Sequence, residues 1–197
     1  MAFIKSALEI ALERTKDVKS DPKTLKQDEL LKSGRKLASD YLNTLNFDIT
    51  KLDTQINQYK GEDKTIFING IVKTFVANIN LPKNNSYEEV LQKISEGLGK
   101  LSSNKKDTVK MIDQIRQFYI QYLENRDQLI EAIKQQYAPR LMQKQQELAE
   151  KYGHDVNISP EQDPEFMEIL RSNIQKLETQ YNESLAGAKE ELRKIIS

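Results

Sequence analysis

The sequence predicts an all-α fold, and three observations carry that expectation. The chain of 197 residues holds only 7 Gly and 5 Pro, so residues that form turns are scarce. Its bulk is Lys, Glu, Gln, Leu and Ile, straight-chain types that lose little rotamer freedom in a helix. Apolar residues recur at steps of three and four along most of the chain, the period of a helix with one buried face. With 38% hydrophobic and 30% charged residues, thin helical layers with much solvated surface are expected rather than one thick core. Low hydropathy also fits disorder, but a disordered chain has no reason to keep a helical period.

The elements follow in order. Ala2 to Val18 reads as an amphipathic helix with Ile4, Leu8, Ala11 and Thr15 on one face, widened by Phe3, Ala7 and Ile10. Asp21-Pro22 opens a second helix, because Asp caps free N–H groups and Pro fits the first helical position. That helix is expected to reach about Leu45, with Leu30, Leu31, Leu37, Ala38, Tyr41, Leu42 and Leu45 as its stripe. Gly34 and Ala38 lie one turn apart on it and suggest close helix approach. Ile49, Leu52, Ile56 and Tyr59 repeat at helical spacing, ended by Gly61.

Thr65 to Ile79 is the most apolar stretch. Ile68, Val72, Phe75, Val76 and Ile79 keep the helical period, with Ile66, Phe67 and Ile71 on the other sides. Its Ile-Phe-Ile start also reads as a strand, but no second strand candidate exists to pair with it. It is expected to be the central helix of an N-terminal bundle over residues 1–104. Ser86 and Glu89 have capping-box spacing for a short helix ending near Gly97-Leu98-Gly99.

Residues 105–197 predict a long antiparallel, coiled-coil-like helical hairpin with its tip near 153–162. Residues 105–152 read as one helix, roughly 72 Å at 1.5 Å per residue. Pro139 lies inside it, so either a kink or two separate helices is expected there. The last helix starts at Ser159-Pro160 or Asp163-Pro164 and runs to about Ile196, roughly 50 Å. Folded straight back, it would cover Tyr119 to Tyr152 and leave Val109 to Phe118 to enter the N-terminal bundle. A compact bundle with the hairpin lying along the N-terminal helices is the alternative.

Composition excludes several kinds of chemistry. There is no cysteine, hence no disulfide framework, thiolate nucleophile or Cys-ligated metal. That fits a reducing cytoplasm, the expected location. No signal-peptide core is seen, and no apolar run is long enough to span a membrane. The 30 basic and 30 acidic side chains cancel, so no global field attracts nucleic acid. The one histidine, His154, sits in a polar loop, which leaves no Ser–His pair, and the Glu-x-x-His pairs of a di-iron bundle are missing. Gly97-Leu98-Gly99-Lys100 lacks the Ser or Thr and the preceding strand of a phosphate loop. No cofactor or metal site is therefore expected.

Ile4-Lys-Ser-Ala-Leu-Glu-Ile-Ala-Leu-Glu-Arg-Thr15, followed by Gly34-Arg35-Lys36-Leu37, resembles the start of an uncharacterised family of bacterial helical proteins. The resemblance implies a bacterial protein and carries no activity or site residue.

The functional expectation is a non-enzymatic interaction or scaffold protein, partnered by another protein or by its own copies. Such a hairpin presents much surface for little core. Tyr137, Tyr152, His154 and Ile158 are the candidate interaction surface, although filling the seam between the helices is the readier role for each tyrosine along the hairpin (Tyr119, Tyr122 and Tyr181 as well). A nucleic-acid-associated helical protein is the alternative, through the Lys-Gln-rich run Lys134 to Gln146. An enzyme without a local motif is the third reading.

Overall fold

The computed structural model describes residues 21–196, so the expected helix Ala2 to Val18 lies outside the described residues. These form six α-helices: α1 (Pro22–Asn43), α2 (Thr50–Ile56), α3 (Gly61–Ala77), α4 (Glu88–Leu101), α5 (Lys105–Tyr152) and α6 (Pro164–Ile196). Among the described residues there is no strand, and the protein is all-α. No helix is long and apolar enough to cross a membrane among them. The chain divides into two compact units at Thr74/Phe75, inside α3; the change in composition lies elsewhere, near residue 105.

In the first unit, Asp21 caps α1 by accepting the Lys23 N–H at 3.2 Å, and Pro22 takes the first turn as expected. The buried face is Leu30, Gly34, Ala38, Tyr41 and Leu42. Leu45 falls past the helix end and is 77% exposed, so it leaves the predicted stripe. Gly61 does not end a helix. Its φ of +54° turns the chain into α3, a conformation in which a side chain is strained.

Within α3 the buried residues are Phe67, Gly70, Ile71, Phe75 and Val76, with Ile79 just beyond. Ile68 and Val72, expected in the main stripe, are half-buried. Glycine decides this rotation of the buried face. A Cβ on Gly34 would lie 2.2 Å from the Phe67 carbonyl oxygen, and one on Gly70 would lie 2.5 Å from that of Leu31. The backbones of α1 and α3 therefore touch there, and the face bearing Gly70 must turn inward.

In the second unit, the chain leaves the end of α3 for a 3-10 turn, Asn85–Tyr87, capped by Asn84 rather than by Ser86: Asn84 Oδ1 accepts the Ser86 N–H at 3.0 Å. Helix α4 then continues through both glycines to Leu101. Gly97 is a contact residue rather than a stop, since a Cβ there would meet the Phe75 ring at 2.5 Å. Arg116 ties α5 to α4, donating to Glu88 Oε2 at 3.2 Å and to Gln92 Oε1 at 3.5 Å.

Helix α5 passes through Pro139 as one helix, which settles the choice against two helices. It ends at Gly153 in the left-handed region (φ +73°), whose N–H reaches the Ala149 carbonyl at 2.8 Å. Both anticipated helix starts beyond it are used. Ser159-Pro160 opens a 3-10 turn, with the Ser159 N–H donating to Gln162 Oε1 at 3.0 Å. Asp163-Pro164 opens α6, with Asp163 Oδ1 accepting the Glu165 N–H at 3.0 Å.

The two long helices pair antiparallel. Tyr137 meets Phe166 with ring centroids 5.4 Å apart, Asn125 Nδ2 donates to the Tyr181 hydroxyl at 2.6 Å, and Ser102 Oγ donates to the Ile195 carbonyl at 3.4 Å. The predicted register is thereby corrected. The connecting loop does not extend the hairpin; it doubles back along the last turns of α5, where Gln145 Nε2 donates to the Ile158 carbonyl at 2.9 Å. Helix α6 consequently starts opposite Tyr137 and not at Tyr152, and its end reaches past Val109–Phe118. Ile115 and Phe118, expected to enter the N-terminal bundle, share a groove with Leu185 and Ala188 of α6.

The Gly34–Gly70 contact gives a test of sign. By helix propensity alone, Gly→Ala within a helix stabilises by roughly 1 kcal/mol. Gly34→Ala and Gly70→Ala should each instead destabilise, by about 1–3 kcal/mol through overpacking, in urea unfolding followed by far-UV circular dichroism.

Candidate functional site at the hairpin tip

Where the loop folds back, a small core forms from Ile133, Tyr137, Leu141 and Phe166, with Leu129, Ile158, Ile169 and Leu170 packed around it. The residues Ile133, Tyr137 and Leu141 are four apart and so share one face of α5. Lys144, seven residues after Tyr137, lies two turns further along on the same side. Its ammonium stands 5.5 Å from the centre of the Tyr137 ring, at the mouth of the loop.

That ammonium is held by four oxygens. Lys144 Nζ donates to the Tyr137 hydroxyl at 2.8 Å, to Asp163 Oδ1 and Oδ2 at 2.9 and 2.7 Å, and to Glu165 Oε2 at 2.9 Å. The Tyr137 hydroxyl in turn donates to Asp163 Oδ2 at 2.8 Å. Asp163 is 5% exposed, yet both its oxygens are satisfied, one of them also by the backbone N–H that it caps. Glu165 carries its other oxygen to Arg140 at 2.5 Å. Lys134 joins Glu161 at 3.1 Å across the same loop.

The electrostatics follow from the geometry. The Lys144 ammonium beside Asp163 holds that carboxyl down at about 2, against its burial. The same ammonium lowers Glu165. Lys144 is pushed up by its bonds to Asp163, Tyr137 and Glu165, and Tyr137 is pushed up by burial. Every shift moves its group away from neutral pH. A general acid or base needs the opposite, a group poised near the working pH. The cluster is a clamp that ties the loop and the start of α6 to α5.

The four residues predicted as an interaction surface separate here. Tyr137 is buried, with its hydroxyl in the clamp; it fills the seam and presents no free surface, because a phenol this close to Phe166 gains more from burial than from exposure. Ile158 is half-buried on the tip core. Tyr152 and His154 remain exposed and stack with ring centroids 6.3 Å apart, while Lys151 stands 5.6 Å over the Tyr152 ring. Further along the seam Tyr119 and Tyr122 are buried and Tyr181 is half-buried.

Sequence reasoning missed Lys144, Asp163 and Glu165 as a unit. Asp163 read only as part of a helix start, and Lys144 only as a member of the Lys-Gln-rich run Lys134 to Gln146. The available signal was the seven-residue step from Tyr137 to Lys144 together with an acid immediately before Pro164.

Residues 53–194 match the family model described as "Family of unknown function (DUF6657)". The chain belongs to that family. The match covers the whole clamp, all of α4 and α5, and α6 as far as Lys194, and it lies outside the Ile4–Thr15 and Gly34–Leu37 stretches that carried the sequence resemblance. Neither a curated protein nor a solved structure matches the chain.

The clamp sets an acid limit on stability. Asp163 titrates at about 2 in the folded chain against an ordinary 3.8, so its contribution is complete above pH 4 and is lost as pH falls from about 4 to about 2. The loss should be on the order of 1–2 kcal/mol, read from thermal melts across that range. Asp163→Asn should flatten that part of the profile, and Tyr137→Phe should cost about 1 kcal/mol near neutral pH.

Proposed function

We propose that the chain is a non-enzymatic protein-interaction or scaffold protein whose contact surface is the tip of the α5–α6 hairpin. One observation carries this reading: a tip held rigid by the Lys144 clamp nevertheless leaves Met142 61% and Tyr152 60% exposed. Tyrosine and methionine are enriched at protein interfaces. A preorganised surface also loses little entropy when it binds.

The strongly shifted groups of the tip favour the same conclusion, since all are engaged in holding the loop. The nucleic-acid alternative is weakened by charge. Residues 134–165 contain six acidic and four basic side chains, and Lys134, Arg140 and Lys144 are already paired with carboxylates. Free cations for phosphate contact are therefore few. The absence of cysteine suits a bacterial cytoplasmic setting.

The test is affinity capture from the native cell with the full chain as bait, beside a Met142→Ser/Tyr152→Ser variant. Both positions are exposed, so the variant should keep the wild-type melting curve. A specific partner should be retained by the wild type and reduced at least about tenfold by the variant, roughly 1.4 kcal/mol of binding. Equal retention by both would remove the tip as the contact surface.

A further inference from the structure

The tip groove has a chemical polarity that names its partner's class. Met142, Gln145, Gln146 and Ala149 of α5, with Asp155 and Val156 of the loop, line a shallow groove of about 270 Å³. Its apolar floor is Met142, Ala149 and Val156. Gln145 is fixed in place, since its amide donates to the Ile158 carbonyl at 2.9 Å and to Asn157 Oδ1 at 3.3 Å. Tyr152, three residues after Ala149, flanks the same side.

At about 100° per residue, Arg140, Lys144 and Lys151 all fall roughly half a turn around α5 from Met142. Arg140 and Lys144 are also neutralised by Glu165 and Asp163, and Lys151 lies over Tyr152. On the groove side stand Asp155 and, one turn after Gln146, the exposed Glu150. The groove is thus an apolar floor with Asp155 in its lining, Glu150 at its edge and no cation among its lining residues; the one nearby cation, Lys151, is held over the Tyr152 ring.

We infer that the groove binds a basic amphipathic segment of a partner protein, an aliphatic or aromatic side chain seated on Met142 and Val156 with Lys or Arg against Glu150 and Asp155. Charge complementarity chooses this occupant: an acidic segment meets like charge, and a neutral apolar one leaves the rim unpaired. Methionine suits the floor, because its flexible, polarisable side chain adapts to a seated residue. The inference rests on the tip being a protein-contact surface and specifies the chemistry of what it contacts.

The experiment titrates the full chain with two amidated peptides of about 18 residues, five turns each, with the same leucine pattern and either lysine or glutamate at the polar positions. The readout is the Met142 methyl resonance, with those of Met111 and Met167 as internal controls. The lysine peptide should shift Met142 saturably and bind at least about tenfold more tightly than the glutamate peptide. Raising salt from about 50 to about 300 mM should weaken it several-fold. Glu150→Lys/Asp155→Lys should reverse the preference, and Met142→Ser, followed by fluorescence anisotropy of the labelled peptides because it lacks the reporter methyl, should weaken both peptides. Equal affinity for the two, no binding of either, or shifts confined to other methionines would overturn the inference. The broader reading fails separately, when capture from the cell is indifferent to Met142 and Tyr152; a captured partner whose contact segment is acidic would keep that reading and refute this one.

Discussion

The second unit depends on one ammonium group. Lys144 reaches Tyr137 on its own helix and Asp163 and Glu165 on the far side of the loop, so it fixes where α6 begins. With Asp163 also capping α6, the start of that helix is anchored twice to one point opposite Tyr137. An apolar seam alone permits neighbouring registers of similar energy, because leucines interchange. A buried carboxylate does not, since sliding α6 by one turn would strand Asp163 without its cation. Leaving such a group unpaired is costly.

The rest of the seam uses the same device more weakly. It is lined by tyrosines, each with an apolar ring and a hydroxyl that must be met. Tyr181 lies 4.9 Å from Phe118 and 5.1 Å from Tyr122, and its hydroxyl accepts from Asn125. Tyr122 donates to Glu178 at 3.4 Å, and Arg126 stands over its ring while holding the Lys83 carbonyl at 2.7 Å. Tyr119 is the exception: its ring packs edge-on against Tyr87 and its buried hydroxyl has no hydrogen-bond partner. A chain with 38% hydrophobic residues thereby gains register from polar contacts as well as from area.

The helical class, the cap at Asp21, the long helices and both starts around Pro160 and Pro164 were legible because each depends on local chemistry. What was not legible required knowing which backbones touch. Gly34 and Gly70 are 36 positions apart, and only their contact explains why α3 buries Phe67 and Ile71 more deeply than Ile68 and Val72. Gly97 read as a stop because glycine commonly is one; its role is to admit the Phe75 ring. The hairpin register failed for a related reason. A ten-residue polar loop was given the shortest path, whereas Ile158, the one strongly apolar residue in its second half, draws it back onto the Leu141–Phe166 core. The clamp followed from that path, and no spacing rule connects Lys144 to Asp163 without it.

The direction of the ionisation shifts bears on what such a tip is for. Reactive groups are made by withholding solvation or partners until protonation is near balance at the working pH. Here Asp163, Glu165 and Lys144 are each given partners that drive them fully to their charged forms. Partners that complete are also partners that consume: a cation enclosed by three neighbouring residues has little left to offer a ligand. Outward-facing at the tip are Met142, Tyr152 with Lys151 over its ring, His154, and carboxylates that the clamp does not use, Glu150 and Asp155 among them. Under the proposed reading, a stiff frame with its own charges internally satisfied, and an adaptable side chain left at its edge, would present a shape to a partner.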